Sequence, residues 1–103
     1  MWKLVRDKIQ DLSIENDDGR EFAKVKGFHY TKCLRLKLLE EAEEVLEAPT
    51  RENLVEELAD VFAVLEQLMI EEGVFMEEVT KERVVKEDNK GGFTKGIIMK
   101  LGS

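Results

Sequence analysis

Two acidic segments carry the side chains of this sequence that could do chemistry. KLLEEAEEVLEA, from Lys37 to Ala48, holds five glutamates, and EELADVF begins at Glu56. Glutamate is a good helix former, so most such runs are solvated helix surface. Carboxylates that turn inward and converge could instead bind a hard divalent cation such as Mg²⁺. The position of each carboxylate on its helix therefore decides between the two interpretations.

Helical spacing places some of these carboxylates on or beside apolar faces. A helix advances ~100° per residue, so Glu41 falls about 20° from Leu34. Glu57 falls about 20° from Leu68, inside an apolar arc, and Asp60 borders the narrow polar gap of the same helix. An ionised carboxylate buried without a partner costs several kcal/mol, so these residues need a cation or a proton.

An antiparallel arrangement of the two helices would make Glu41 and Glu44 face Glu57 and Asp60. Clustered like charges repel, and Mg²⁺ relieves such repulsion while keeping positions open for water and phosphate. The alternative is that each inward carboxylate meets a Lys or Arg, as in ordinary helical bundles. Lys37 lies in one stripe with Glu41 and Glu44, so it is a neighbour of both on the first helix.

The surrounding periodicity predicts a mainly α fold, an antiparallel helix bundle that forms one domain over residues 1–103. We expect helices at four places: residues 4–14, 30–47, 51–72 and 75–86. Pro49 ends the second of these helices, and Thr50 is a suitable N-cap for the third. Weak alternation near Phe22 and the apolar run around Ile97 predict a short two-stranded β element.

Composition limits the class of protein. A net charge of −7 excludes a general nucleic-acid binder, although an acidic protein can bind polyphosphate through a divalent metal. The single cysteine, Cys33, excludes an internal disulfide and a cysteine zinc cluster, and it fits a reducing compartment. No apolar run reaches the ~18 residues of a membrane span, and the charged N-terminus is unlike a signal peptide. We therefore expect a cytoplasmic protein without a membrane or nucleic-acid partner.

The helix predicted at residues 51–72 is apolar around most of its circumference. Such a helix is buried by other helices or by a partner chain. A chain of this length buries only a modest fraction of its surface, which makes oligomerisation a source of additional core. The sequence thus favours a homo-oligomer.

Taken together, the acidic segments and the two ends of the chain resemble a known superfamily. Glu40-Glu41-x-x-Glu44 followed by Glu57-x-x-Asp60 resembles the EExxE…ExxD signature of the all-α NTP pyrophosphohydrolases, the MazG-like superfamily. The opening KLVRDKI and the tail GGFTKGI resemble a small single-domain branch of house-cleaning enzymes for noncanonical nucleotides. That branch is also described as phosphoribosyl-ATP pyrophosphohydrolase-like.

The resemblance implies a Mg²⁺ site, with Mn²⁺ as an alternative ion, on four carboxylates: Glu41, Glu44, Glu57 and Asp60. It implies that Lys37 contacts a substrate phosphate. Glu40 and Glu41 are the candidate catalytic carboxylates, with Glu40 orienting or deprotonating the attacking water. Family members form dimers or dimers of dimers, so the resemblance also implies a homodimer or a larger even assembly.

The implied reaction is Mg²⁺-dependent hydrolysis of a noncanonical NTP or dNTP to a nucleoside monophosphate and pyrophosphate. Further basic residues are candidates for holding the phosphates: Arg6, Lys8, Lys90 and Lys95. One alternative is a phosphoribosyl-ATP pyrophosphohydrolase. The other is a helical dimerisation or regulatory module without catalysis.

Overall fold

The computed structural model describes residues 1–102, which form four helices and no strand. The helices are α1 (Ile9–Asn16), α2 (Gly27–Glu47), α3 (Arg51–Glu72) and α4 (Met76–Lys90). The described chain divides into two compact units, the first over Met1–Glu72 and the second beginning at Gly73. The prediction of a mainly α fold is therefore confirmed.

None of the helices within residues 1–102 is both long and apolar enough to cross a membrane.

Helices α2 and α3 form an antiparallel pair in the first unit. Arg35, early in α2, bonds to Glu72 at the end of α3, whereas Glu41, further along α2, lies beside Asp60. Pro49 interrupts the chain between the two helices because it has no N–H to donate. The Thr50 hydroxyl then accepts the Asn53 N–H at 3.1 Å, so Thr50 caps α3 as the sequence predicts.

Helix α1 begins at Ile9 and not near residue 4, so that part of the helix prediction is wrong. The preceding residues are not helical, and two of them form ion pairs with α2 and α3: Lys3 with Glu40 and Arg6 with Asp60. A helix as short as the predicted one has little stability of its own, so such contacts decide its conformation.

The predicted two-stranded β element is absent from the described residues. Neither Phe22 nor Ile97 lies in a strand. Isolated strand pairs are marginally stable, and the alternation around Phe22 covers too few residues to stabilise one. Helix α4 also runs to Lys90, beyond the predicted end at residue 86.

The first unit buries few apolar side chains. Among residues 1–102, Leu34 is the only buried apolar residue, at 2% exposure. Large apolar side chains of the two long helices are exposed: Leu36, Leu39, Leu46, Val55, Phe62 and Ile70. The apolar faces that the sequence shows on α2 and α3 are therefore only partly covered within one chain.

Candidate metal and phosphate site

Three carboxylates from α2 and α3 converge where the antiparallel helices pass each other. Glu41, Glu57 and Asp60 each place one oxygen so that the three oxygens lie within 4.8 Å of one another. We call this trio the acid cluster. Glu57 and Asp60 share a helix face because they are three residues apart. Glu41 is buried at 6% exposure, and the other two are half-buried.

The donor set of the acid cluster fits a hard divalent cation. Oxygens bound at ~2.1 Å to one octahedral ion lie ~3.0 Å apart when adjacent and ~4.2 Å apart when opposite. A spacing within 4.8 Å therefore needs only small side-chain adjustments to reach that geometry. Oxygen donors without imidazole or thiolate suit Mg²⁺ or Mn²⁺ better than Zn²⁺.

Glu44, the fourth predicted ligand, is exposed and is not a member of the acid cluster. It lies one turn from Glu41 on the same face of α2. Its charge is nevertheless felt at the site, because it is the foremost of the neighbouring charges that raise the pKa of Glu57. Glu44 thus borders the acid cluster, and its role as a ligand stays a prediction.

The environment of Glu57 opposes its charged form. Partial burial, and then the negative charges of Glu44, Asp60, Glu41 and Glu56, raise the pKa of the Glu57 carboxyl above its ordinary value. Within residues 1–102, no Lys or Arg forms an ion pair with this carboxylate. A cation bound at the acid cluster would relieve that repulsion.

Basic side chains contact the other two members of the acid cluster. The Lys37 ammonium lies 3.2 Å from Glu41 Oε1 and 3.3 Å from Glu40 Oε2. Burial alone would lower the pKa of Lys37, but hydrogen bonds to Glu41 and Glu40 raise it above its ordinary value. Arg6 Nη2 lies 2.5 Å from Asp60 Oδ1. Two of the three carboxylates are thus paired with Lys or Arg, as the ordinary-bundle interpretation predicts. The third, Glu57, has no such ion pair within residues 1–102.

Glu40, the candidate for activating water, has both carboxylate oxygens engaged. Lys37 contacts Oε2, and the Lys3 ammonium lies 3.6 Å from Oε1. Sequence reasoning missed Lys3 as a residue of this region. The sequence feature that could have pointed to Lys3 is its position three residues before Arg6 in KLVRDKI, which places both cations in one short segment.

The remaining predicted phosphate ligands lie elsewhere in the chain. Lys8 is the exposed N-cap residue of α1, and no acidic side chain of residues 1–102 pairs with it. Lys90 is the last residue of α4, and Lys95 lies in the segment that follows, both in the second unit. Gly91 ends α4 at a positive φ of 81°, a conformation that glycine adopts without steric cost.

Comparison with known proteins identifies one family. A family model described as phosphoribosyl-ATP pyrophosphohydrolase matches residues 20–87. The match includes all of α2 and α3, and with them every residue of the acid cluster. Searches of curated proteins and of solved structures found no match. The family lies within the MazG-like superfamily, so the resemblance to that superfamily is confirmed.

Proposed function

The chain belongs to the phosphoribosyl-ATP pyrophosphohydrolase family, and from that premise we propose that it cleaves nucleoside triphosphates to monophosphate and pyrophosphate. Membership makes it a hydrolase of phosphoric anhydrides that acts on a nucleotide. Noncanonical NTPs or dNTPs are the proposed substrates. The observation that carries the proposal is the convergence of Glu41, Glu57 and Asp60 within 4.8 Å.

The acid cluster would hold the divalent cation, with Glu44 as the fourth ligand from the edge of the site. Mg²⁺, or Mn²⁺ in its place, would neutralise phosphate charge and lower the pKa of a bound water. The absence of an ion pair at Glu57 within residues 1–102 supports this assignment, since that carboxylate gains most from a cation.

Lys37 is the proposed phosphate-binding residue beside the acid cluster. Its side chain is 18% exposed and its ammonium is held between Glu40 and Glu41, so its position is well defined before substrate arrives. Because these contacts raise its pKa, Lys37 stays cationic at neutral pH and can donate hydrogen bonds to a phosphate oxygen. Lys8, Lys90 and Lys95 remain proposed as further phosphate ligands.

The proposed reaction consumes one water. The water oxygen bonds to the α-phosphorus, the bond from that phosphorus to the bridging oxygen breaks, and pyrophosphate leaves with the electron pair. A carboxylate takes the proton of the water, and Glu40 is the candidate. Glu40 would exchange one of its two lysine contacts for the water to do so.

The family match also favours a second substrate, phosphoribosyl-ATP, because the description of the family names that compound. The chemistry at the site would be the same, since both substrates present a triphosphate to metal and lysine. Substrate choice then depends on the groups that contact the sugar and the base.

We further propose that the active protein is a homodimer or a dimer of dimers. The support is the exposed apolar surface of the helix pair, where Phe62 is 68% exposed and Leu46 is 85% exposed. A second copy would cover such surface. The free thiol of Cys33 agrees with a reducing compartment such as the cytoplasm.

A pyrophosphate-release assay tests the proposal. Noncanonical and canonical NTPs and dNTPs, together with phosphoribosyl-ATP, are compared with Mg²⁺ and with EDTA. We expect metal-dependent release from at least one of them. Asp60→Asn should lower the rate by more than ~100-fold, because even the outer-shell partners of metal ligands are worth 10–100-fold.

Glu43→Gln is the matched control, since Glu43 is exposed on α2 and outside the acid cluster. Its rate should equal that of the wild type. If no nucleotide releases pyrophosphate although the metal binds, the chain is a non-catalytic helical module and the proposal is wrong.

A further inference from the structure

The segment before α1 places two cations on the two halves of the acidic motif. We call residues 3–8, KLVRDK, the basic strap. Its Lys3 ammonium lies 3.6 Å from Glu40 of α2, and its Arg6 guanidinium lies 2.5 Å from Asp60 of α3. Leu4, which lies between the two cations in sequence, is half-buried.

We propose that the basic strap is an internal counter-cation that competes with the divalent metal at Asp60 and then passes to the substrate phosphates. The inference rests on the proposed function and adds a regulatory step to it. Arg6 is therefore assigned two partners: the Asp60 carboxylate in the metal-free protein, and a substrate phosphate once metal and substrate are bound.

The competition follows from the geometry at Asp60. Arg6 contacts Oδ1 of that carboxylate, and Asp60 is also one of the three side chains that could hold a metal ion. A guanidinium and a divalent ion on one carboxylate repel each other strongly in a partly desolvated site. Metal binding and the Arg6–Asp60 ion pair therefore oppose each other.

Exposure distinguishes the cation that can move from the one that cannot. The Arg6 side chain is 66% exposed and the Lys3 side chain 65%, so either can swing without disturbing packing. Lys37 is 18% exposed and is held by carboxylates three and four residues away on its own helix. Lys37 is thus the fixed phosphate ligand, and the basic strap is the mobile one.

Phosphate supplies the second partner that the displaced arginine needs. Guanidinium binds phosphate oxygens with paired, charge-assisted hydrogen bonds. When metal and a polyphosphate are bound together, Arg6 can leave Asp60 and still keep an anionic partner. The same side chain should therefore weaken binding of the metal alone and strengthen binding of the metal with pyrophosphate.

Calorimetric titration of the full chain tests whether Arg6 weakens the binding of metal alone and strengthens the binding of metal with pyrophosphate. Mn²⁺ is titrated first alone and then with pyrophosphate present, into the wild type, Arg6→Gln and Lys32→Gln. Lys32 is exposed on α2 and pairs with no acidic side chain of residues 1–102, so it controls for the loss of one positive charge. Arg6→Gln should bind Mn²⁺ alone more tightly than Lys32→Gln by up to about fivefold, the range of one exposed ion pair. With pyrophosphate it should bind about fivefold more weakly.

A second readout follows the side chain itself. The Nε–H signal of Arg6, assigned by its loss in Arg6→Gln, should move toward that of free arginine when Mg²⁺ is added to the wild type. A purely structural ion pair would leave this signal in place. Circular dichroism checks that Arg6→Gln keeps the helical content of the wild type.

The outcomes separate the two proposals. If the wild type releases pyrophosphate but Arg6→Gln and Lys32→Gln bind Mn²⁺ equally, the basic strap has no competing role and the enzymatic proposal stands. Weaker binding of Mn²⁺ alone by Arg6→Gln also overturns the competition. If the wild type binds no Mn²⁺ and hydrolyses no nucleotide, both proposals fail.

Discussion

Replacing Glu41 with Gln separates a metal ligand from a structural carboxylate. Glu41 is the one buried member of the acid cluster, and its charge has two opposing effects on the metal-free fold. It forms an ion pair with Lys37 at 3.2 Å, and it repels the other carboxylates within 4.8 Å. Gln has nearly the same shape and keeps one oxygen as an acceptor for Lys37.

The two effects can be given magnitudes. A charge-assisted hydrogen bond is worth about 1 kcal/mol more than a neutral one, and Lys37 keeps its contact with Glu40 at 3.3 Å. Two unit charges at 4.8 Å repel by about 1 kcal/mol in water and about 3.5 kcal/mol at an effective dielectric constant of 20. Arg6 offsets the charge of Asp60, so the repulsion with Glu57 remains, and without metal Glu41→Gln should be as stable as the wild type or more stable by up to about 2.5 kcal/mol.

With metal the order should reverse. A ligand at 100 times its dissociation constant stabilises the folded state by about 2.7 kcal/mol, and the variant forgoes this gain. In a domain of this size about 1 kcal/mol moves the melting temperature by roughly 4–8 °C. Saturating Mg²⁺ should thus raise the wild-type melting temperature by about 10 °C or more and leave that of Glu41→Gln unchanged.

Thermal denaturation in EDTA and in Mg²⁺ gives both comparisons, with Glu43→Gln as the control that should respond to metal like the wild type. The reasoning is refuted if Glu41→Gln is less stable than the wild type in EDTA and still gains stability from Mg²⁺. Glu41 would then serve only as the partner of Lys37, and the metal would bind without it.

Three further predictions use the same structure. Glu57→Gln should raise the melting temperature in EDTA at pH 7, because partial burial and neighbouring carboxylates raise the pKa of Glu57 and so destabilise its charged form in the folded state. This gain should vanish below about pH 4, where the Glu57 carboxyl is protonated in both the folded and the unfolded chain. Thr50→Ala should cost about 0.5–2 kcal/mol in urea denaturation, because α3 loses its N-cap, and an unchanged midpoint would argue against that cap. Phe62→Glu should halve the mass that light scattering gives for the proposed homodimer, whereas equal masses would show that Phe62 does not lie at an interface between copies.

The sequence predicted the long helices well because their apolar periodicity extends over many turns. Helix α3 has the expected bounds, and α2 begins three residues before the expected start at Tyr30. The short N-terminal helix was placed too early, since Leu4 and Val5 fit a helical pattern but contacts outside the segment determine its conformation. The prediction of the β element was wrong for a related reason. Weak alternation of apolar residues does not specify a strand where no neighbouring strand pairs with it.

The acid cluster was predictable where its positions depend on one helix at a time. Helical spacing alone predicts that Glu41 and Glu57 lie on or beside apolar faces and that Asp60 borders the polar gap of α3. In the structure these three carboxylates lie together. The pairing of Arg6 with Asp60 was not predictable, because the two residues are 54 positions apart and no local rule connects them. Which carboxylate stays without a basic partner is likewise a property of the assembled fold.

The distribution of charge explains why the acid cluster suits a divalent cation better than further basic side chains. Its three carboxylates are opposed by Lys37, which is fixed, and by Arg6, which is exposed. Among these five side chains alone, one net negative charge remains, and Glu57, whose pKa is raised, is the carboxylate without a basic partner in the part of the chain that the structure describes. If Arg6 leaves as proposed, two negative charges remain among them, which a divalent cation would balance. The displaced Arg6 would then lack an anionic partner at Asp60, and a substrate phosphate is an anion that could replace it.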